Sequence, residues 1–226
     1  MSRLFLLELF SGTGSVGDAA RELYGDSLRR YSTDINPKYS PTTAVDLLQW
    51  DYKPALDAFL TERTEDDCLV VWMSPPCTQY SIARSKAKTP RDLEGADALV
   101  ARALDIKDYV KPNAWFLENP HGDARCALRL RPIMQPLEQY RHMCTYCHYG
   151  KLFRKRTDIW TDVPTVALKS CSKTTPCPHV AGTKKHKHPV TAQSGPSGNA
   201  RGCGSAEAAY PIPPLLVDYL LSQVRR

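Results

Sequence analysis

Short apolar runs alternate with helix-like stretches up to about residue 160, and this rhythm constrains the fold more than any other feature of the sequence. Strand-like runs occur at residues 4–10, 31–35, 68–73, 114–117 and 143–149. Helix-like stretches lie at residues 16–24, 54–63 and 96–110, the last with apolar residues at three- and four-residue steps. Strands that alternate with helices in this way predict an α/β sheet covered by helices.

The composition changes between residues 163 and 204, which are rich in Pro, Gly, Ser, Thr, Lys, Cys and His and nearly lack apolar periodicity. Such a segment cannot build a core from its own side chains, so it needs a metal, a partner or disorder. Apolar spacing returns after Pro213 and Pro214 and predicts a closing helix. We therefore expect a main domain at 1–162, a short insertion at 163–204 and a C-terminal helix at 205–226.

Length, charge and cysteine content narrow the class of protein. A chain of 226 residues suits one domain, and no apolar run approaches the ~20 residues of a membrane span. Glu8 interrupts the N-terminal apolar run, so we interpret that run as a buried strand and not as a signal peptide. Eight cysteines without an export signal favour catalytic or metal-binding thiols inside a cell.

The net charge of +6 is concentrated in basic clusters at residues 84–91, 125–131, 151–156 and 184–188. Clusters of this kind suit a polyanionic partner, although a solvated basic surface explains the charge alone equally well.

The first predicted strand runs into a glycine turn, Ser11-Gly12-Thr13-Gly14-Ser15, that opens a helix. Glycines there let the backbone approach a ligand at the strand ends, where open α/β sheets bind ligands. Asp34 ends the next strand and is suitably placed for ribose hydroxyls, and Asp46 follows where a carboxylate can accept from an adenine amino group. Each feature alone is also typical of a plain turn or cap, but together they favour a nucleoside such as S-adenosylmethionine.

A cysteine follows the third predicted strand in the sequence Ser74-Pro75-Pro76-Cys77-Thr78-Gln79. Two stiff prolines hold this thiol at the ligand-binding edge of the sheet. The next strand delivers Glu118-Asn119-Pro120 to the same edge. A nucleophile and a carboxyl group that converge in this way are suited to covalent catalysis.

The pieces Leu-Phe-Ser-Gly-Thr-Gly, Pro-Pro-Cys-Thr-Gln and Glu-Asn-Pro occur in this order, and the chain thereby resembles DNA cytosine-C5 methyltransferases. The likeness continues through Tyr149-Gly150 and residues 154–160, and more loosely into the closing helix. It implies a Rossmann-like fold that uses S-adenosylmethionine, with duplex DNA as partner and the target cytosine flipped out. Residues 1–162 would then be the catalytic domain and 163–204 a much reduced target-recognition region.

The resemblance also implies roles for individual residues. Cys77 would add to C6 of cytosine, Glu118 would bind N3 and the exocyclic amine, and Arg156 would support the base. Amino-group methyltransferases carry an aromatic residue where this chain has Cys77, which disfavours that class. The implied cofactor-binding residues are Phe10, Gly12, Thr13, Gly14, Asp34, Ile35, Asp46, Leu47 and Pro75.

Two departures from the family pattern leave parts of the site open. The family usually has a second arginine at the position of Asp158, so Arg154 or Lys155 is an alternative to Arg156 as the supporting cation. The family's Gly-Asn before the last helix is replaced by residues 210–214, Tyr-Pro-Ile-Pro-Pro, which puts cofactor contacts from that end in doubt.

The insertion carries thiol and imidazole groups that suit a structural zinc ion. The preferred ligands are Cys171, Cys177, His179 and His188, with His186 as a substitute and Cys144 or Cys147 as contributors from the neighbouring strand. The spacing matches no common zinc finger, and the alternative is a basic, disordered loop with incidental Cys and His.

Two other functions fit the same residues. An RNA-directed, tRNA-type cytosine-C5 methyltransferase would share Cys77 and Glu118, and a catalytically silent nucleic-acid-binding protein would share the fold. The intact Cys77, Glu118 and glycine turn argue against a silent protein. We expect a monomer that has no association with membranes.

Overall fold

A seven-stranded sheet forms the centre of the computed structural model, which describes residues 2–81, 84, 87–122, 125–182, 187–192, 201–204 and 207–224. Its strands are β1 (Leu4–Leu9), β2 (Leu28–Asp34), β3 (Thr43–Ala44), β4 (Cys68–Met73), β5 (Ala114–Pro120), β6 (Arg141–Thr145) and β7 (Arg156–Thr161). The strand order is β3-β2-β1-β4-β5-β7-β6. Strands β1 to β5 are parallel, whereas β7 is antiparallel to both β5 and β6. The predicted α/β sheet is therefore confirmed.

Helices cover both faces of this sheet: α1 (Ser15–Tyr24), α2 (Tyr52–Leu60), α3 (Leu93–Val110) and α4 (Pro214–Val224). Alternate residues of β1 divide between two cores, Leu4 and Leu6 on one face and Phe5 and Leu7 on the other. The first core includes buried residues of α1 and α4, and the second includes those of α2 and α3. Because both faces of the sheet are covered, the central strands β1 and β4 are nearly continuous apolar runs and do not alternate with polar residues. None of the helices in the described ranges is long and apolar enough to span a membrane.

The structure differs from the predicted elements mainly around the antiparallel strands. The predicted strand at 143–149 ends at Thr145, and residues Tyr146–Tyr149 form a 3₁₀ turn closed by Gly150 at a φ of 94°. Strand β7 was not among the predicted strands. Its sequence, Arg-Thr-Asp-Ile-Trp-Thr, contains charged residues. One of them, Asp158, is fully buried and forms ion pairs with residues that are distant in the sequence. Local periodicity does not reveal such partners.

The insertion packs against the main domain. Val163 and Val166 join the core beneath α1 and α4, and Phe153 bridges to the short strand β8 (Val190–Thr191), which pairs with β9 (Arg201–Gly202). A separate small cluster contains Cys147, Cys171, Cys177 and Val180. The segment therefore uses side chains of the main domain as its core, as its lack of apolar periodicity requires.

The strand order fixes where a ligand binds. Strand β1 has β2 on one side and β4 on the other, so the connection after β1, to β2, and the connection after β4, to β5, leave in opposite directions across the sheet. A crevice opens at such a switch point, beyond the carboxyl ends of the parallel strands. The glycine turn, Asp34, Cys77 and Glu118 all follow or end strands at this edge.

Candidate active site

The glycine turn after β1 is closed by the end of β2. Phe10, Gly12 and Gly14 have positive φ angles of 59°, 49° and 75°, a region in which only glycine is unstrained. The Asp34 carboxylate accepts hydrogen bonds from the backbone N–H of Gly12 at 2.7 Å and of Asn36 at 2.9 Å. Asp34 therefore lies beside the glycine turn, because β1 and β2 are neighbours and end at the same edge.

A buried ion pair lies directly behind this turn. Glu8 of β1 accepts hydrogen bonds from the Arg30 guanidinium of β2 at 2.7 and 3.0 Å. Burial raises the pKa of Glu8 to about 7, although Arg30 opposes the shift. A Cβ at Gly17 would lie 2.0 Å from the Arg30 guanidinium, so the side chain of Arg30 requires glycine there. Gly17 also completes a G-x-G-x-x-G spacing with Gly12 and Gly14, so the glycines alone do not separate S-adenosylmethionine from a dinucleotide.

Two adjoining cavities of about 340 and 420 Å³ follow the edge of the sheet. They share Phe10, Asp34 and Ile35, and the Ile35 side chain is 70% exposed. Most of the predicted cofactor-binding residues line one or both cavities, namely Phe10, Gly12, Thr13, Asp34, Ile35, Asp46, Leu47 and Pro75. Gly14 is not among the lining residues. It contributes through the turn itself, where its N–H donates to the carbonyl of Ser11.

The first cavity extends to Cys77 and Glu118. Strands β4 and β5 pair in parallel up to Met73 and Leu117, so the residues that follow these two positions in the chain reach the same place. Fully buried Asn119 donates a hydrogen bond to the carbonyl of Pro75 at 2.9 Å, which ties the Pro-Pro-Cys turn to β5. The structure thus brings together the predicted nucleophile and carboxyl group.

Two side chains, those of Tyr146 and Lys155, contact Glu118. The sequence did not point to Tyr146, and it indicated Lys155 only as an alternative to Arg156. The Tyr146 hydroxyl donates to Glu118 Oε1 at 2.8 Å, and Lys155 Nζ lies 3.9 Å from the same oxygen. Glu118 is only 6% exposed and Tyr146 is fully buried. Burial is the largest cause that raises the pKa of Cys77; the Lys155 ammonium lowers it and the Glu118 carboxylate raises it further.

Arg156 lies elsewhere. Its side chain is exposed at the start of β7 and is not among the residues that line the cavities, whereas Lys155 does line the first cavity. Asp158, at the family's second arginine position, is fully buried and pairs with His121 Nδ1 at 2.8 Å and Arg141 Nη1 at 3.3 Å. The structure therefore favours Lys155 over Arg156 beside Glu118.

The segment before α4 also reaches the cavity. Tyr210 and Ile212 line its wall, and the Ile212 N–H donates to the Ser15 hydroxyl at 3.1 Å. These residues stand where the family has Gly-Asn, so the departure in sequence does not leave this side of the cavity open. The basic stretch at 84–91 follows Cys77, and its residues 85 and 86 lie outside the described part of the chain.

A second cluster, of thiol and imidazole groups, lies between the insertion and the turn after β6. Cys147, Cys171, Cys177 and His188 place their ligand atoms within 4.8 Å of one another. His188 Nε2 is 3.3 Å from Cys177 Sγ and 3.8 Å from Cys171 Sγ. Sulfur and nitrogen ligands of one tetrahedral zinc ion lie about 3.5 Å apart. These residues therefore fit a zinc ion.

The grouping corrects the predicted ligand set. His179 is outside the cluster, because residues 177–181 form a helical turn in which a side chain two positions after Cys177 points away from it. Cys147 takes its place, since the turn after β6 aims its thiol at the insertion. Cys144 is buried in the main core instead. His186 and the other residues of 183–186 lie outside the described ranges.

Comparison with known proteins gives one informative relative. The chain is similar to a protein of Frog virus 3 (isolate Goorha) named probable DNA (cytosine-5)-methyltransferase. The two are 30% identical over 231 residues, which cover 96% of this chain and 98% of the viral protein. No protein-family model matches the chain. The similarity therefore extends through both the sheet and the insertion and is not confined to short motifs.

Proposed function

Because the chain belongs to the DNA (cytosine-5)-methyltransferase family and is an enzyme of that class, we propose that it methylates C5 of cytosine in duplex DNA through a covalent Cys77 intermediate. The supporting observation is one cavity that is lined both by Cys77 and Glu118 and by the glycine turn with Asp34. A target base and an adenosine group would thus have adjoining places at one edge of the sheet.

The methyl donor in this proposal is S-adenosylmethionine, which would supply an electrophilic methyl group on a sulfonium centre. Asp34 accepts two backbone hydrogen bonds, and a carboxylate with about four acceptor sites still has room for ribose hydroxyls. Asp46 lines the second cavity and would accept from the adenine amine. The exposed Ile35 side chain, between the two cavities, would pack on the adenine face.

Cys77 would open the reaction. Its thiolate adds to C6 of cytosine, which breaks the C5–C6 double bond and moves electron density to C5. C5 would then attack the methyl group, whose bond to the sulfonium sulfur breaks and leaves a neutral thioether as the departing group. A water molecule removes the C5 proton, and the electron pair that it leaves expels Cys77 and restores the aromatic ring.

Glu118 would act on the opposite side of the base. Charge develops on N3 as Cys77 adds to C6, and a carboxyl group held against N3 and the exocyclic amine stabilises that charge. Tyr146 fixes one oxygen of Glu118 from within the core. Reaching this site requires the cytosine to leave the duplex, at a cost of a few kcal/mol. The basic residues of the stretch at 84–91, which follows Cys77 in the sequence, would supply positive charge to the DNA phosphates.

The test is to trap the adduct. The full chain is mixed with S-adenosylmethionine and duplex oligonucleotides that contain 5-fluorocytosine, whose C5 substituent cannot leave as a proton does. Mass spectrometry should find a covalent adduct on the peptide that contains Cys77. Cys77→Ser should abolish the adduct, and Cys126→Ser, which changes a cysteine outside the cavity, should retain it.

Three other outcomes of the trapping experiment would each contradict part of the proposal. An adduct with fluorinated tRNA and none with DNA would make the enzyme RNA-directed. An adduct on another cysteine would remove Cys77 as the nucleophile. No adduct with either polymer, from a folded protein that binds DNA, would favour the catalytically silent function.

We also propose that Cys147, Cys171, Cys177 and His188 hold a structural zinc ion. Four protein ligands leave no open position for catalysis, which is typical of a structural site. The backbone N–H of Cys171 donates to Thr145 Oγ1 at 2.8 Å, so the cluster joins the insertion to the end of β6. The reduced thiols that such a site requires agree with action inside a cell.

Metal analysis tests the zinc proposal. Full-length protein should contain about one zinc per chain, and Cys177→Ser should lose most of it. Cys203→Ser is the matched control, because Cys203 also lies in the insertion but outside the cluster. Retention of stoichiometric zinc by Cys177→Ser, or its absence from the wild type, would rule out this ligand set.

A further inference from the structure

Within the described ranges, Lys155 is the lysine or arginine that lines the first cavity together with Cys77 and Glu118. Its side chain is 16% exposed. The ammonium group lies 3.9 Å from Glu118 Oε1 and 4.8 Å from the centre of the Tyr146 ring. It also donates a hydrogen bond to the carbonyl of Ala209 at 3.3 Å. Contacts on three sides therefore hold this charge in place.

The position of Lys155 follows from the start of β7. The backbone carbonyl of Lys155 accepts a hydrogen bond from the Tyr146 N–H at 3.1 Å, which locks the residue against the turn after β6. Arg156, the next residue, is exposed. Adjacent residues of an extended chain point to opposite sides. Only one of the two cations can face the cavity, and it is the lysine.

The charges in the cavity explain what this cation does. Cys77 must ionise to act as a nucleophile, and the Glu118 carboxylate beside it disfavours a second negative charge. Burial disfavours the thiolate as well. An ammonium group fixed between the protein core and the cavity opposes both effects, although the pKa of Cys77 remains raised. Arg156, in contact with solvent, is too well screened to do so.

We propose that Lys155, and not Arg156, is the positioning residue that stabilises the Cys77 thiolate and orients Glu118 in the active site. This inference rests on the proposed role of Cys77 as nucleophile. It assigns the supporting charge to a residue one position before the arginine that the family resemblance implies. It also gives the segment before α4 a part in the site, because Ala209 holds the lysine.

The test measures the thiol directly, without DNA or cofactor. The rate at which iodoacetamide alkylates Cys77 is followed against pH by mass spectrometry of the Cys77 peptide. Lys155→Met keeps the length of the side chain and removes the charge, so alkylation at neutral pH should slow about tenfold and the pH profile should move upward. Lys155→Arg should restore most of the wild-type profile. Arg156→Met, the matched neighbour, should leave the profile unchanged.

Thermal unfolding of each variant checks the fold, and Lys155→Gln replaces Lys155→Met should the latter not fold. Identical alkylation profiles for wild type and the folded neutral variant would overturn the proposal, as would a larger shift in Arg156→Met. The proposed function fails separately: methylation that survives Cys77→Ser would remove the nucleophile even if the alkylation profiles shift as expected.

Discussion

The hydrogen bond between Tyr146 and Glu118 can be removed by deleting a single atom, the phenolic oxygen of Tyr146. The phenolic hydroxyl donates to Glu118 Oε1 at 2.8 Å, and neither side chain has appreciable access to water. Tyr146→Phe should lower the free energy of unfolding by about 1–3 kcal/mol, because the buried carboxyl group loses its donor. We expect kcat for DNA methylation to fall about tenfold with a smaller change in KM, since Glu118 acts mainly as charge develops on the base.

Tyr140→Phe is the control for this prediction. The Tyr140 ring packs edge-on against Trp115, on the other face of the sheet and outside the cavity. Equal losses of kcat in the two variants would show that the Tyr146 hydroxyl has no special role at Glu118.

These residues also show what a sequence can reveal about a site. Cys77 and Glu118 were predictable because each follows a buried strand within a short, characteristic motif. The role of Tyr146 was not predictable, because its partner Glu118 lies 28 residues away in the sequence. Tyr146 also lies in a 3₁₀ turn, whereas the sequence predicted that the strand at 143–149 continues through it. Lys155 could be named only as an alternative, since the choice between adjacent cations depends on which of them faces the cavity.

The 3₁₀ turn at residues 146–149 connects the two sites of the molecule. Its first residue, Tyr146, contacts Glu118, and the next, Cys147, belongs to the thiol and imidazole cluster. If zinc occupies the cluster, its removal should free one end of this turn. We therefore expect chelation to speed amide hydrogen exchange at residues 145–150 and 169–181 and to leave β1 and β4 unchanged.

The comparison for this experiment is Cys177→Ser treated with the same chelator, which should show no further increase in exchange. Faster exchange throughout the sheet would instead mean that the metal supports the whole fold. Unchanged exchange at residues 145–150 as well as in the sheet would mean that the metal does not stabilise the turn.

At the level of secondary structure, sequence patterns predicted the elements whose apolar residues form a buried strand or one buried face of a helix. The run at 68–73 coincides with β4, and α1 and α3 begin within three residues of their predicted starts. The patterns failed at β7, where Asp158 is buried among His121, Arg129 and Arg141. A charge neutralised by distant residues has no signature in local periodicity. Three of the four preferred zinc ligands lie in the observed cluster, and Cys147 stands in it instead of His179, because Cys147 approaches His188 only in the folded chain.

Charge is distributed unevenly over the whole molecule, and this affects DNA binding. Arg154 and Arg156 are both exposed and flank Lys155, which lines the first cavity, in the sequence. If both contact phosphates, the double variant Arg154→Ala, Arg156→Ala should weaken DNA binding and reduce the slope of log K against log salt by about 2. Arg21→Ala with Arg29→Ala removes the same charge from exposed positions at the opposite edge of the sheet. For this control variant, the slope of log K against log salt should match that of the wild type. Equal slopes in all three proteins would mean that Arg154 and Arg156 do not contact the DNA phosphates.

The stability of the folded protein should depend on pH through Glu8. Burial raises its pKa to about 7 in the folded state from an ordinary value of 4.5, although Arg30 opposes the shift. Between these values the folded protein retains a proton that the unfolded chain has lost. The contribution of Glu8 to stability is therefore fully present below pH 4.5 and is lost as the pH rises through about 7.

The variant Glu8→Gln has no such titration. Urea unfolding at pH 5, 6 and 7 should show that the stability of Glu8→Gln relative to wild type increases with pH, whatever the constant cost of losing the ion pair with Arg30. Asp18→Asn is the matched control, because Asp18 lies 3.9 Å from the same guanidinium but is 71% exposed. Its stability relative to wild type should stay nearly constant over this range. Parallel curves for wild type and Glu8→Gln would mean that Arg30 keeps Glu8 ionised throughout, and that the pair behind the glycine turn is a fixed salt bridge.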